Sequence, residues 1–267
     1  MTLHYAVKNG NSIPVQAPRF AENSVNPYYC NDHQTIAVYC RATPEIIDKY
    51  LAPTPFKSVS DVFMIMFSDC TNHDGIEGAY QGVSFVFPVK HRDVIGGYHM
   101  FTYTDNTDIV LRNREVFGYP DKLASINILE ENDKITCTCH IQKTGVSNGS
   151  KLIHLELDKS KPLGNSLDVP NMTPDIILKT MGRPEGPGIL YELALSRDTS
   201  PDFTLKNKIE AQATVKLYEN SENPLNEFSP IEVLGGVYTV GDFASTNENG
   251  WAKILEEVIP LEDYFKS

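Results

Sequence analysis

The sequence has few of the features that would tie it to a membrane, a nucleic acid or an export route. No apolar run approaches the roughly 20 residues that a membrane-spanning helix requires. The N-terminal residues Met1–Tyr5 lack the basic and then apolar order of a signal peptide. Positive charge is scarce, because 23 lysines and arginines face 35 acidic residues and the net charge is -12. We therefore expect a cytoplasmic protein without a nucleic-acid or membrane partner.

Cysteine is also sparse, with five in 267 residues, and this odd count favours buried thiols over a disulfide framework. The segment Cys137-Thr138-Cys139-His140 contains residue types that bind zinc. In a strand, however, both thiols lie on one face and His140 lies on the other. Four further histidines show no repeated ligand spacing: His33, His73, His91 and His99. Glycine motifs that cradle phosphates are absent as well, so we predict neither a metal site nor a cofactor.

Short segments rich in β-branched and aromatic residues dominate the chain and predict strands. These segments are Gln34–Arg41, Asp61–Cys70, Gln81–Lys90, Gly97–Thr104, Lys134–Lys143, Lys151–Leu157, Ile189–Ser196, Ile209–Tyr218 and Ile231–Tyr238. Helical patterns occur in Pro44–Leu51, Asp108–Phe117 and Glu248–Val258. Because strands outnumber helices about three to one, a parallel β-α-β fold is disfavoured. We predict one α+β domain over residues 1–267, mostly antiparallel β, with a large curled sheet or a closed β-barrel-like core and few flanking helices.

The most specific sequence pattern lies between Tyr80 and Lys122. It comprises Phe85-x-x-Pro88-Val89, Gly96-x-Tyr98, Tyr103-x-Asp105-Asn106 and Arg114-Glu115-x-x-Gly118-Tyr119-Pro120-Asp121-Lys122-Leu123. This pattern resembles the acetoacetate decarboxylase superfamily, whose signature around its catalytic lysine combines Arg-Glu, Tyr-Pro and Lys-Leu. Weaker similarity at Val38-Tyr39-x-Arg41 and Val215-x-Leu217-Tyr218 extends the resemblance over most of the chain.

The resemblance implies a curled sheet around an apolar pocket, a small-molecule substrate and, in many members, a homo-oligomer. In the decarboxylases, a lysine condenses with a ketone carbonyl, and the iminium accepts the electrons released as carbon dioxide leaves. That lysine must be unprotonated near neutral pH, and burial in the apolar pocket lowers its pKa from the free value of about 10.4. The expected function is a lyase acting on a small keto acid or a related enolisable carbonyl compound.

This sequence departs from the family at the positions that carry the reaction. The first residue after Tyr-Pro, which forms the Schiff base in the decarboxylases, is Asp121, and Lys122 follows it. The family's pocket glutamate falls on Gly82, and its N-terminal pocket arginine falls on Gln34. Acetoacetate itself is therefore not the expected substrate.

The orientation of Asp121 and Lys122 separates the alternatives, because neighbouring side chains of an extended chain point to opposite sides. If Lys122 enters the pocket, we predict a Schiff-base lyase with another substrate and Glu115 as an acid/base group. If Asp121 enters, burial raises its pKa and it serves an isomerase, hydratase, dehydratase or cyclase. The remaining alternatives are a binding protein that has lost catalysis and a surface turn containing both residues. Candidates for substrate binding are Tyr80, Tyr98, Tyr103, Tyr119 and Arg114.

Overall fold

The computed structural model describes residues 26–72, 78–141, 149–229 and 232–261. Within these ranges, thirteen strands belong to one sheet. The strands are β1 (Tyr28–Arg41), β2 (Lys57–Ser58), β3 (Val62–Cys70), β4 (Tyr80–His91), β5 (Val94–Thr104), β6 (Asp121–Glu131), β7 (Lys134–Ile141), β8 (Lys151–Pro162), β9 (Asp175–Gly182), β10 (Ile189–Arg197), β11 (Phe203–Leu217), β12 (Glu232–Ser245) and β13 (Lys253–Ile259). His73 and the predicted strand ends Lys143 and Ile231 lie outside the described residues.

The strand order closes the sheet into a ring. Neighbouring strands follow the order β5-β6-β7-β8-β11-β12-β1-β3-β4, and β4 pairs with β5 again. Most neighbours are antiparallel, whereas β5 pairs in parallel with both β6 and β9. Strands β9, β10 and β13 extend from the ring at β5. The predicted curled and mostly antiparallel sheet is confirmed, and ring closure pairs strand edges that would otherwise be free.

A bulge in β5 decides which of its side chains face each side of the sheet. The pairing of β4 with β5 shifts by one residue around Met100. Such a bulge reverses the alternation of side chains along the strand. His99 therefore lies on the same side as Thr102, whereas Tyr98 turns to the other side and packs against Phe56 with ring centroids 5.0 Å apart.

The main hydrophobic core consists of buried side chains from most strands of the ring. Phe63 and Phe87 stack with ring centroids 5.1 Å apart, and Phe228 packs against Phe87 at 5.2 Å. Cys137 and Cys139 are both fully buried in this core. The prediction that they are buried thiols on one strand face is confirmed, and all five cysteines are free and buried.

Helix α1 spans Pro44–Leu51, as predicted. Proline fits the first turn of a helix because its missing N–H would have no partner there. Ile47 and Leu51, one turn apart, are both buried. Among the described residues, no helix is long and apolar enough to cross a bilayer.

The helix before the Tyr-Pro block begins as α2 (Thr107–Arg112) and continues as a π-helical turn over Asn113–Phe117. The side chain of Asn106 caps its N-terminus by accepting hydrogen bonds from backbone N–H groups of the first turn. Gly118 ends the turn with φ 92°. A Cβ at this position would lie 2.8 Å from Cα of Lys179, so the chain requires glycine here. The helix predicted for this segment is confirmed.

The C-terminal helix predicted over Glu248–Val258 is wrong, because Lys253–Ile259 forms β13 and pairs antiparallel with β10. The spacing of Ile254, Leu255 and Val258 fits a helix, but two of these residues are β-branched and favour a strand. Hydrogen bonding to the edge of β10 therefore overrides the local pattern. Strands β2, β6 and β9 were not predicted either, since β2 has two residues and β6 contains alanine, serine and asparagine, which are poor strand formers.

Candidate active site

A cavity of about 220 Å³ lies among β4, β5, α2 and the first residue of β6. This volume is below the roughly 300–1,000 Å³ typical of drug-sized ligand pockets, so the cavity suits a small molecule. Several charged or titratable side chains line it: Arg112, Arg197, Asp121, Asp175, His33 and His99. The lining is thus more polar than the apolar pocket that the family resemblance implied.

Asp121 faces the cavity, and Lys122 faces away from it. Asp121 is 3% exposed and lines the cavity. Lys122 is exposed, and its Nζ donates hydrogen bonds to Asn223 Oδ1 at 2.8 Å and to the Glu222 carbonyl oxygen at 3.2 Å. The two residues therefore occupy opposite faces of β6, as strand alternation predicts. No lysine occurs among the described residues that line the cavity, so the position of Lys122 does not support its predicted role in a Schiff base.

Hydrogen bonds fix Asp121 at the start of β6. Asn113 Nδ2 donates to Asp121 Oδ2 at 2.7 Å, and Arg114 Nη1 donates to the Asp121 carbonyl oxygen at 3.1 Å. Asp121 Oδ1 is buried, and the Thr102 side chain is a hydrogen-bonding neighbour of the same carboxyl group. Burial raises the pKa of Asp121 to about 6, while the hydrogen bonds from Asn113 and Thr102 and the nearby His99 oppose this shift. Near neutral pH, this carboxyl group can therefore both accept and release a proton.

One buried polar atom at the cavity, His33 Nδ1, lacks a hydrogen-bond partner within the described ranges. Thr102 is paired directly with Asp121 across β5 and β6. Burial lowers the pKa of His33 to about 4, although Asp69 opposes the shift, so its ring is neutral at pH 7. Buried polar groups in folded proteins are normally satisfied. A polar molecule in the cavity is therefore the expected partner of His33 Nδ1.

His99, Asp175 and Tyr119 form a second group of titratable side chains in the cavity lining. His99 Nε2 is 3.1 Å from Asp175 Oδ1, and the Tyr119 hydroxyl donates to Asp175 Oδ2 at 2.5 Å. Burial alone would raise the pKa of Asp175, but His99, the hydrogen bond from Tyr119 and the charge of Arg197 hold it below its usual value. Burial and the charge of Asp175 raise the pKa of Tyr119 well above its usual value. At neutral pH, Asp175 is thus an ionised acceptor and Tyr119 a protonated donor.

Two buried arginines bring positive charge to the cavity. Arg112 is 2% exposed, and its guanidinium lies 4.8 Å from the ring centroid of Tyr28. Arg197 donates from Nε to the Gly250 carbonyl oxygen at 2.7 Å and from Nη2 to Ser245 Oγ at 2.8 Å. Side chains held in fixed positions lose little freedom on binding, and guanidinium groups match carboxylate geometry. The cavity is therefore suited to an anionic ligand.

The four tyrosines predicted to bind substrate separate into two groups. Tyr80 and Tyr119 line the cavity. Tyr103 also borders it, but its hydroxyl donates to Asn223 Oδ1 at 3.0 Å, on the side where Lys122 lies. Tyr98 is not among the lining residues, because the bulge at Met100 turns its side chain to the opposite face. Its position therefore does not support the predicted contact with substrate.

Glu115 and Arg114 lie next to cavity residues in the chain but do not line the cavity. The Glu115 carbonyl oxygen accepts a hydrogen bond from Lys179 Nζ at 2.8 Å, and the same ammonium group binds the Val116 carbonyl oxygen at 2.9 Å. A lysine in this position satisfies carbonyl groups at the end of a helical segment. Arg114 holds the backbone of Asp121. Their predicted roles as acid/base and substrate-binding groups are therefore not supported by their positions.

Gly82 lines the cavity at the position where the family carries a glutamate. A Cβ there would lie 3.1 Å from Ser68 Oγ, so a longer side chain would enter the space that the cavity now occupies. Gln34 does not line the cavity, and its Oε1 accepts a hydrogen bond from the Tyr238 hydroxyl at 3.0 Å. Of these two departures from the family, at Gly82 and Gln34, only the one at Gly82 therefore changes the lining of the cavity.

The sequence did not reveal four of the charged cavity residues as site residues: His99, Asp175, Arg112 and Arg197. Asp175 begins β9, which was not predicted, and Arg197 ends β10 far along the chain. Arg112 lies on a predicted helix two residues before the Arg-Glu signature, and this proximity was the available signal. Long-range pairing around β5 brings the four residues together.

Comparison with known proteins assigns this chain, with its ring-shaped sheet and its small charged cavity beside the Tyr-Pro block, to a family. The family model for acetoacetate decarboxylase (ADC) matches residues 12–253, and the chain belongs to this family. An acetoacetate decarboxylase from Burkholderia vietnamiensis is 24% identical over 86% of this chain and 89% of its own length. Acetoacetate decarboxylase 3 from Mesorhizobium japonicum is 27% identical over 88% of each chain.

Solved structures share the fold at low sequence identity. Acetoacetate decarboxylase from Legionella pneumophila superposes with a TM-score of 0.76 over 96% of this chain and 97% of that chain, at 18% identity. An acetoacetate decarboxylase-like enzyme from Sphingomonas wittichii gives a TM-score of 0.71 over 91% and 99%, at 17% identity. The enduracididine biosynthesis enzyme MppR, solved with the condensation product of pyruvate and imidazole 4-carboxaldehyde, gives 0.68 over 88% and 91%, at 11% identity.

Proposed function

We propose that this protein catalyses proton transfer on a small, carboxylate-bearing carbonyl compound, with Asp121 as the acid/base group and without a lysine Schiff base. The observation that carries the proposal is the position of Asp121. Its side chain is buried at the cavity beside Thr102, and burial raises its pKa to about 6. A general base is most effective when its pKa lies near the working pH.

The charges around the cavity favour an anionic substrate. When Asp121 is ionised, the two carboxylates Asp121 and Asp175 balance the guanidinium groups of Arg112 and Arg197, and a protonated His99 would add one positive charge. When Asp121 is protonated, the described lining carries a net positive charge, and a carboxylate restores the balance. The volume of about 220 Å³ limits the substrate to a few heavy atoms beyond that carboxylate. MppR, which shares the fold, has been solved with pyruvate, and this supports a small oxo acid as the substrate class.

The reaction step that fits Asp121 is enolisation. Asp121 Oδ1 accepts a proton from the carbon next to the carbonyl, the C–H electron pair becomes the C=C bond, and the carbonyl oxygen takes the released charge. Hydrogen-bond donors at the cavity, such as the Thr102 hydroxyl, stabilise that oxygen. The same step begins isomerisations and dehydrations of oxo acids, so the proposal covers these reaction types and omits loss of carbon dioxide through an iminium.

Hydrogen exchange tests the proposal directly. Pyruvate, 2-oxobutyrate and 2-oxoglutarate are incubated with the protein in D₂O, and loss of the signal from protons next to the carbonyl is followed by ¹H NMR. We expect exchange above the buffer rate with at least one compound, and a loss of about 100-fold in Asp121→Asn. Asp48→Asn, an exposed aspartate on α1, is the matched control and should retain exchange. Equal exchange rates in Asp121→Asn and the wild type would contradict the role of Asp121.

If none of the three compounds exchanged its protons above the buffer rate, this result would also count against catalysis. If oxamate, a related carboxylate that cannot enolise, still bound under those conditions, the alternative of a binding protein without catalysis would be favoured.

A further inference from the structure

We propose that His99 is the second acid/base group of this cavity, with Asp175 as its positioning residue, and that His99 and Asp121 act as a pair on one substrate. This inference rests on the proposed function, because it assigns the proton that the carbonyl oxygen receives. The step is balanced. Asp121 takes the proton from carbon, and the His99 imidazolium gives its proton to the carbonyl oxygen, so that a neutral enol forms.

The sheet brings His99 to this position by a specific irregularity. His99 is three residues before Thr102, so regular alternation would place the two side chains on opposite faces of β5. The bulge at Met100 adds one residue to the strand and reverses that alternation. His99 consequently lines the same cavity as Asp121, with 8% of its surface exposed. Bulges commonly re-aim a side chain next to an active site.

Asp175 fixes which nitrogen of His99 carries a permanent proton. An ionised carboxylate accepts hydrogen bonds and cannot donate them. Nε2 of His99, 3.1 Å from Asp175 Oδ1, must therefore be the donor, and Nδ1 is the nitrogen left for proton exchange. The second oxygen of Asp175 accepts the Tyr119 hydroxyl. Because both oxygens are engaged, the carboxylate cannot rotate away from the histidine.

Charged groups from three strands lie around His99. Asp175 on β9 and ionised Asp121 on β6 both attract a positive charge on His99, and Arg197 on β10 lines the same cavity. The ring of Tyr119 lies edge-on to His99 at 5.2 Å and is uncharged at neutral pH. In the proposed pair, Asp121 is the base and His99 is the acid.

Nitrogen-detected NMR of histidine tests the arrangement without depending on any substrate. Long-range ¹H–¹⁵N spectra of the full-length protein report the tautomer and the titration of each ring. We expect neutral His99 to carry its proton on Nε2, and its titration midpoint to be lower in Asp175→Asn than in the wild type. Tyr119→Phe removes a donor to the same carboxylate and is the matched control, and it should leave the midpoint unchanged or raise it. An Nδ1–H tautomer, or equal midpoints in the wild type and Asp175→Asn, would overturn the inference.

The pH profile of hydrogen exchange separates this inference from the proposed function. The wild type should give a bell-shaped profile of kcat/KM. His99→Asn should remove the basic limb, and Asp175→Asn should move that limb to lower pH while the acidic limb, which belongs to Asp121, stays in place. A basic limb that persists unchanged in His99→Asn would overturn the role of His99 and leave the proposed function standing. Full exchange in Asp121→Asn would instead overturn the proposed function.

Discussion

Replacement of Asp121 by asparagine should stabilise the protein, and the gain should depend on pH. Burial raises the pKa of Asp121 from 3.8 to about 6, so the ionised carboxylate costs about 3 kcal/mol of folding free energy at pH 8. A carboxyl group whose folded pKa is raised imposes no penalty below its unfolded pKa, and the penalty grows as pH rises from the unfolded to the folded value and is constant above it. At pH 4.5 the penalty is about 1 kcal/mol. Asparagine avoids the charge and can still accept the hydrogen bond from Asn113.

The assay is urea unfolding of the wild type and Asp121→Asn at pH 4.5 and pH 8. The free energy of unfolding should favour the variant by about 2 kcal/mol more at pH 8 than at pH 4.5, since the difference between the two pH values cancels any constant effect of the amide. The exposed control Asp48→Asn should change the free energy by less than about 0.5 kcal/mol at either pH. A gain that is the same at both pH values would refute the argument that Asp121 is a buried carboxyl with a raised pKa.

Three further predictions concern the neighbours of Asp121 and its charge. Lys122→Met should leave hydrogen exchange unchanged, because Lys122 is exposed and lies outside the cavity. It should alter the free energy of unfolding by less than about 1 kcal/mol. A loss of hydrogen exchange would contradict this prediction. Gly118→Ala should destabilise the protein by about 2 kcal/mol or more in urea unfolding, because φ is 92° and a Cβ would contact the backbone of Lys179; unchanged stability would contradict the described turn. Oxamate affinity, measured by calorimetry, should weaken as pH rises through about 6, because ionised Asp121 repels an anion. Asp121→Asn should abolish this pH dependence. An equal pH dependence in both proteins would assign it to another group.

Sequence patterns within single strands were sufficient to predict the general fold and the opposite orientations of Asp121 and Lys122. Alternation along a strand predicted that Asp121 and Lys122 would face different sides, and it also predicted that Cys137 and Cys139 would be buried together. These are properties of a regular strand, and they depend on nothing beyond the strand itself. The sequence could not decide which of the two faces carries the cavity, because that depends on how β6 pairs with β5.

Irregular and long-range features were beyond local reasoning. The bulge at Met100 has no clear sequence signature, and it moved Tyr98 away from the cavity and His99 towards it. Asp175 reaches the cavity because β9 pairs in parallel with β5 at Gly97, a contact between residues far apart in the chain. The C-terminal segment was assigned to a helix because its apolar spacing fits either structure, and the open edge of β10 decided between them.

Borohydride trapping of the wild-type protein tests most directly whether this member of the family works without a lysine Schiff base. The protein is incubated with pyruvate or 2-oxobutyrate and sodium borohydride, and intact-mass and peptide analysis then locate any adduct. Asp121→Lys, which places an amine in the cavity, serves as the positive control. We expect no substrate-sized adduct on any lysine of the wild type under conditions where hydrogen exchange proceeds. An adduct on Lys122 would show that the protein does form a Schiff base.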